Sequence, residues 1–268
     1  MRTRALTIAT WLSFAAILYL ILSEAVSPWV KLPGLGDIGF TLVFVLFALL
    51  HCAVAEGGRF TAEFFAISAV VSYGMEEAGV RSGWLFGPYH YSDTLGAKLG
   101  DVPVIIPLAW FMMVYPCWVV ARTLLRGAET RSVGGLTVLS FVAALVMTGW
   151  DMVMDPGMAA AHNWVWEQGG EYFGVPLRNY FGWVETTFLI YWLAGWLWRS
   201  RERVTGVTKS FAALPVILYA SYALRYVTAN RIAPLRAVAV FSMGLPAVLA
   251  LARIGMASRL PHSSQKTA

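Results

Sequence analysis

Two short acidic clusters carry most of the chemistry open to this chain. Trp150 to Pro156 reads WDMVMDP and spaces Asp151 and Asp155 four residues apart. On a helix that spacing puts both carboxyls on one face, about a turn from each other. Two such groups inside a membrane helix form a proton-handling pair, because like charges so close oppose joint ionisation. The plainer alternative is a helix C-terminus that is merely acidic. It is disfavoured because negative charge there opposes the helix dipole. Pro156 is expected to stop this helix. The second cluster lies in Tyr73 to Asp93, YGMEEAGVRSGWLFGPYHYSD, where Glu76 and Glu77 close an apolar helical segment. Two adjacent carboxylates at bilayer depth would repel, so one is expected to be protonated or paired, with Arg81 or a later arginine. The plainer alternative is a helix end reaching the headgroup region with its carboxylates solvated, open to at least one of them because neighbours on a helix point about 100° apart.

Aromatic residues surround these acids. Trp84, Phe86, Tyr89 and Tyr91 follow the first cluster, and Trp164, Trp166, Tyr172, Phe173, Tyr180 and Trp183 follow the second. Interfacial Trp and Tyr are ordinary membrane-belt residues. Here, however, they alternate with Gly, His, Asn and acids inside connecting segments, and aromatic faces can stabilise a cation by up to about 2 kcal/mol in a dry pocket. Four histidines, His51, His90, His162 and His262, form no H-x-x-H or H-x-x-x-H. A histidine-rich iron site is therefore not expected, and His90 with Asp93 is read as hydrogen-bonding or proton-relay capacity rather than a metal pair. No lysine falls mid-span for a Schiff base, and no nucleotide-binding or nucleophile-elbow motif occurs. Cys52 and Cys117 sit in apolar runs as packing residues.

What must hold these residues is a membrane bundle. Apolar types make up 58% of the 268 residues and charged types 13%, the latter about half the share of a soluble protein. A soluble domain, a disordered chain, a disulfide scaffold and a nucleic-acid binder are all excluded. The net charge of +5 suits loop arginines that face anionic lipid and set topology. At about 20 apolar residues per crossing, the spans fall at 5–22, 39–55, 60–78, 103–122, 134–155, 183–198, 209–228 and 235–254. The expected fold is all-α, a polytopic membrane helical bundle of eight transmembrane helices, or seven. Residues 1–256 make one transmembrane domain and 257–268 a polar C-terminal tail. The apolar run after Arg2 and Arg4 suits a span better than a cleavable signal.

Pro107, Pro116, Pro215 and Pro246 are expected to kink their helices. With the N-terminus inside, 13 of the 20 Lys and Arg residues fall on inner segments, so both termini read as cytoplasmic. Loops 79–102 and 156–182 then share the outer face with Glu76, Glu77, Asp151, Asp155, Glu185, Arg225 and Arg231. A weak internal echo accompanies them. Val102-Pro103 and Val175-Pro176 each precede a tryptophan, Trp110 or Trp183, seven residues after the proline. A duplication, or a shared use of proline in a helix's first turn, would produce it.

Several ordered blocks carry a resemblance: Glu76 to Tyr91 (EEAGVRSGWLFGPYHY), Leu95-Gly96, Val102-Pro103, Ile106 to Pro116 (IPLAWFMMVYP), Trp150-Asp151, Asp155-Pro156, Trp164, Trp166, Tyr172 to Pro176 (YFGVP), Asn179 and Gly182-Trp183. Together they resemble the carotenoid 1,2-hydratase family (CruF type), which takes in hydratases of bisanhydrobacterioruberin and of monocyclic carotenes. The resemblance covers roughly residues 70–190. It implies a multi-pass cell-membrane enzyme, a hydro-lyase of carotenoid biosynthesis that needs no cofactor and no metal. Such an enzyme adds water across the terminal C1=C2 bond of a carotenoid ψ end group and leaves a tertiary alcohol. Its partners would be water, membrane lipid, and a lycopene-like, monocyclic or elongated carotenoid, with other carotenoid biosynthesis enzymes nearby and no nucleic acid.

The residues suit this chemistry. A carboxylic acid kept from water can protonate an alkene, and aromatic faces can stabilise the tertiary cation. Asp151 and Asp155 are the expected acid pair, with Asp155 preferred for its place beside the loop. Glu76, Glu77, Asp93 and His90 are candidates to position or activate water. Trp84, Phe86, Tyr89, Tyr91, Trp110, Trp150, Trp164, Trp166, Tyr172, Asn179 and Trp183 are candidates to line the end-group pocket. A carotenoid cyclase would start with the same protonation. A proton-coupled transporter would spread its polar residues across the midplane of several spans, and a non-catalytic carotenoid binder would need no paired acids.

Overall fold

Each apolar segment becomes a helix. The computed structural model describes residues 2–125, 132–199 and 206–259. The first six helices are α1 (Arg2–Ala25), α2 (Gly36–Ala55), α3 (Gly58–Ser82), α4 (Ile106–Leu124), α5 (Val133–Ala160) and α6 (Leu177–Trp198). A short α7 (Lys209–Ala212) runs into α8 (Leu214–Ala229), and α9 (Pro234–Ala239) continues through a π turn, Val240–Gly244, into α10 (Leu245–Arg259). Among the described residues, six stretches are long and apolar enough to cross a membrane: α1, α2, α4, α5, α7–α8 and α9–α10. The remaining two of the eight expected crossings, α3 and α6, are comparably long, at 25 and 22 residues. They carry charged and polar side chains toward their ends, and those side chains matter below.

Several boundaries differ from expectation. Pro156 does not stop α5, which runs one further turn to Ala160. A proline inside a helix frees backbone carbonyls behind it, and neighbouring polar groups can satisfy them; here Asn230 Nδ2 donates to the Val153 carbonyl at 3.2 Å. Of the four expected kink prolines, Pro116 and Pro246 sit inside continuous helical stretches. Pro107 and Pro215 lie in first turns, where a missing N–H costs nothing, and Pro246 follows the π turn. The last helix reaches Arg259, so the start of the expected tail is helical; residues 260–268 lie outside the described residues. So do Arg126, Arg131, Arg201, Arg203 and Lys266, five of the charges that orient the chain.

The two long connections are not loops alone. Strand β1 (Tyr89–Tyr91) pairs antiparallel with β4 (Trp164–Trp166), in the register Tyr89↔Trp166, His90↔Val165 and Tyr91↔Trp164. A smaller hairpin joins β2 (Lys98–Leu99) to β3 (Val102–Pro103). Aromatic and β-branched residues favour such pleated pairs, and this pairing ties the end of α3 to the end of α5.

Helix packing then fixes the ribbon. The buried face of α3 runs Thr61, Phe64, Ser68, Ser72, Glu76, Gly79, mostly small residues that let neighbouring helices approach. Phe86, almost wholly buried, wedges between Gly79 of α3 and Gly182 of α6. At the opposite end of the bundle, His51 of α2 joins the Tyr115 hydroxyl of α4 (2.7 Å) to the Phe211 carbonyl of α7 (2.8 Å) and stacks on the Phe211 ring.

A methyl group at Gly182 would meet the Leu85 carbonyl at 2.7 Å and Phe86 Cδ1 at 2.6 Å, whereas one at Gly74 meets nothing within 4 Å. Gly182→Ala is therefore expected to destabilise the protein by about 1–3 kcal/mol through overpacking. Gly74→Ala should stabilise it by up to about 1 kcal/mol through helix propensity. Thermal melts in detergent measure both, and equal shifts for the two variants would contradict the wedge.

Candidate active site

Asp151 and Asp155 share the inner face of α5, 0% and 2% exposed. Asn179, in the first turn of α6, bridges them: its Nδ2 donates to Asp151 Oδ2 at 3.0 Å and to Asp155 Oδ2 at 2.7 Å. The second oxygen of Asp155 accepts from Trp164 Nε1 at 2.6 Å. Asp151 Oδ1 has no partner among the described residues. Both oxygens of Asp155 are therefore occupied by N–H donors, while one oxygen of Asp151 is unengaged.

Glu76 projects inward from α3 and is held by three donors. Tyr89 and Tyr91 donate to Oε2, the latter at 2.9 Å, and Trp110 Nε1 of α4 donates to Oε1 at 3.0 Å. The strand explains the selection. Successive side chains on β1 alternate faces, so Tyr89 and Tyr91 turn inward together and His90 turns out. Across the pair, Tyr89 lies against Trp166 and Tyr91 against Trp164, with ring centroids 5.0 and 5.9 Å apart. Glu76, Tyr91, Trp164 and Asp155 thus form one linked series. Burial, and next the Glu76 charge, pushes both phenols well above the usual tyrosine range. They remain O–H donors.

The three acids line one cavity of about 680 Å³. Trp110 and Trp183 stack in its wall at 4.1 Å and 9°, with Trp150 edge-on to Trp183 at 5.9 Å. The two tryptophans of the sequence echo therefore meet face to face, although their prolines differ: Pro176 caps α6, while Pro103 belongs to β3. The cavity also has a wall on α8 that the sequence reading did not assign to it. Tyr222, Arg225 and Tyr226 line it, and Arg225 forms an ion pair with Glu24 of α1. A charged residue at or just past the end of each of two apolar segments was the available signal.

Of the expected site residues, Asp151, Asp155, Glu76, Phe86, Tyr89, Tyr91, Trp110, Trp150, Trp164, Trp166, Asn179 and Trp183 reach the cavity. Five do not. His90 pairs with Glu167 on the outer side of the ribbon at 2.5 Å, each more than half exposed. Asp93 is solvent-exposed and meets Lys98 at 3.1 Å. Glu77, one residue round the helix from Glu76, binds Arg81 at 2.5 Å and accepts the Asp101 amide at 3.0 Å, anchoring the β2–β3 turn. Trp84 is exposed, with the Arg178 guanidinium 5.7 Å from its ring. Tyr172 packs on Tyr180 and Phe173 outside the cavity. Among the described residues no three His, Cys, Asp or Glu side chains gather into a metal-binding cluster.

The tyrosines set an alkaline limit. Burial and the Asp151 charge push the Tyr172 hydroxyl up to about 12, and Tyr89 and Tyr91 move the same way. A group with a raised folded-state pKa contributes stability that is fully present below its unfolded value, about 10 for tyrosine, and lost above it. Thermal stability should therefore not fall on account of these phenols below about pH 10 and should decline beyond it. The phenolate absorbance of Tyr89 and Tyr91 should appear only with unfolding. Phenolate signal from Tyr89 and Tyr91 in folded protein near pH 10, read as its loss in Tyr→Phe variants, would contradict this.

The family model for carotenoid biosynthesis proteins matches residues 38–255, so the chain belongs to that family. A bisanhydrobacterioruberin hydratase of Haloarcula japonica is 38% identical over 116 residues, 42% of this chain. That match spans 37% of the relative's own length. No solved structure matches.

Proposed function

We propose that this carotenoid biosynthesis protein is a membrane hydratase that adds water across the terminal C1=C2 bond of a carotenoid ψ end group. The observation that carries the proposal is the Asp151–Asn179–Asp155 bridge in the wall of an aromatic-lined cavity. Family membership and a partial relative named as a hydratase support the same reading.

In this mechanism the acid pair holds one proton. Two carboxyls around a single amide nitrogen cannot both bear charge cheaply. Their hydrogen bonds suggest which is the donor. Asp155 accepts two N–H bonds, as a carboxylate does, whereas Asp151 has one oxygen without a donor and can turn an O–H into the cavity. Asp151 is thus the preferred proton donor, in place of Asp155. It protonates C2, and the π electrons leave a tertiary cation at C1. The faces of Trp110, Trp183 and Trp150 stabilise that charge. Water then bonds to C1 through oxygen, and the excess proton returns to the carboxylate pair. Oxidation state is unchanged and no redox partner is consumed.

The substrate class is a lycopene-like, monocyclic or elongated carotenoid delivered from the membrane. The test is carotenoid analysis in a heterologous host supplying linear and monocyclic precursors. Wild-type protein should add the mass of one water per reacting end. Asp151→Asn and Asp155→Asn, still present in the membrane, should lower hydration by about 100-fold or more, as loss of general acid–base catalysis does. Near-normal hydration in both variants would discard the assignment, and a product of unchanged mass with a closed ring would replace hydratase by cyclase.

A further inference from the structure

Hydration needs a second polar surface. The acid pair supplies a proton, but another group must hold the oxygen that attacks. Glu76 already accepts three hydrogen bonds, and His90 and Asp93 face away from the cavity. The cavity has further polar lining, including Lys31, Asp37, Asn230 and Arg231, and among it the wall on α8 stands beside Trp150.

That wall is built tightly. The Arg225 guanidinium lies over the Tyr222 ring at 5.2 Å and the Tyr226 ring at 4.6 Å, and its ion pair with Glu24 anchors it to α1. Tyr222 and Tyr226 are buried, yet both border the cavity. Beside Asp151 on α5, Trp150 is 3% exposed and also borders it. Its Nε1–H forms no well-aligned hydrogen bond among the described residues, and its neighbour is the Tyr226 hydroxyl, which also lies within reach of Tyr222 and Arg225. A buried N–H without a partner is unusual enough to call for an explanation. A water on the cavity side of this pair, accepting from the indole N–H and donating to the phenol oxygen, would satisfy the N–H, because water in a protein interior takes two to four polar partners.

We propose that the Trp150 N–H and the Tyr226 hydroxyl hold the nucleophilic water, with Arg225 and Glu24 as positioning residues that fix the Tyr226 ring. The proposal rests on the hydratase reading. Water accepts from Trp150, donates to Tyr226, and keeps a lone pair for C1. When the C–O bond forms, the surplus proton passes to the carboxylate pair. A cation that meets no held water and does not close a ring loses a proton from an adjacent carbon and returns to alkene. In D2O that return leaves deuterium in the recovered precursor.

The experiment uses detergent-purified full-length protein and a linear carotenoid with ψ end groups in D2O, and compares wild type with Trp150→Phe and Tyr226→Phe. Phenylalanine keeps an apolar ring and removes the polar atom. Each variant should raise the ratio of deuterium in recovered precursor to hydrate formed by about 10-fold or more, in line with the loss of a placed donor. The ratio is independent of how much variant folds. An unchanged ratio in both variants, whether hydration persists or falls along with exchange, overturns the water site. Wild type yielding neither hydrate nor deuterium overturns the hydratase reading itself and the water site with it. Asp151→Asn, expected to lose both signals, separates failed protonation from failed capture.

Discussion

A carboxyl group placed inside a hydrocarbon-embedded bundle must be given hydrogen-bond donors, and much of the half of this molecule that holds the cavity follows from that constraint. Desolvating an acid without partners costs several kcal/mol. Glu76 meets the requirement with two tyrosines from a strand and a tryptophan from α4. Asp151 and Asp155 meet it with an asparagine from α6 and a tryptophan from β4. Donors are thus drawn from segments far apart in sequence, and gathering them clamps α3, α4, α5 and α6 around one cavity. The acids organise the bundle as well as any chemistry it performs.

Packing makes this arrangement rigid. Phe86 is inserted where both flanking helices carry glycine, so the connection leaving α3 is seated before it turns into β1. The β1–β4 pair then presents alternate residues inward. Inward tyrosines reach Glu76, and an inward tryptophan reaches Asp155. On the other side of the cavity, Arg225 and its two tyrosines form a polar wall that Glu24 holds to α1. An apolar end group entering between these walls would meet proton-bearing groups on one side and oxygen-holding groups on the other, separated by stacked indoles.

The helices were readable from sequence because apolar runs of membrane-spanning length are local signals. Asp151 and Asp155 were readable as a pair for the same reason, since i, i+4 spacing is decided within one helix. Asn179 was singled out, but its position between two aspartates depends on how α6 docks against α5, which no local pattern encodes. The strands were missed although YHY and WVW alternate in the manner of a pleated ribbon, because three residues of alternation are too few to distinguish a strand from a loop. That omission displaced His90: without a strand its side chain had no assigned face, and the strand turned it to solvent. Glu77 and Asp93 were drawn toward the site by proximity in sequence, while the structure gave them Arg81 and Lys98. Arg225 and Glu24 were missed because each is a single charge near the end of a crossing, where a headgroup contact would explain it equally well.

The central claim is that an end group seats between the α5–α6 acid pair and the α8 wall. A structure of the full chain with a linear carotenoid bound tests it most directly. The account predicts the terminal double bond in the cavity, with C2 within about 3–3.5 Å of an Asp151 carboxyl oxygen as a reactive geometry requires, and C1 facing Trp150 and Tyr226. A polyene lying along the lipid-facing surface, with its end group outside the cavity and Asp151 still screened from it by protein, would contradict it.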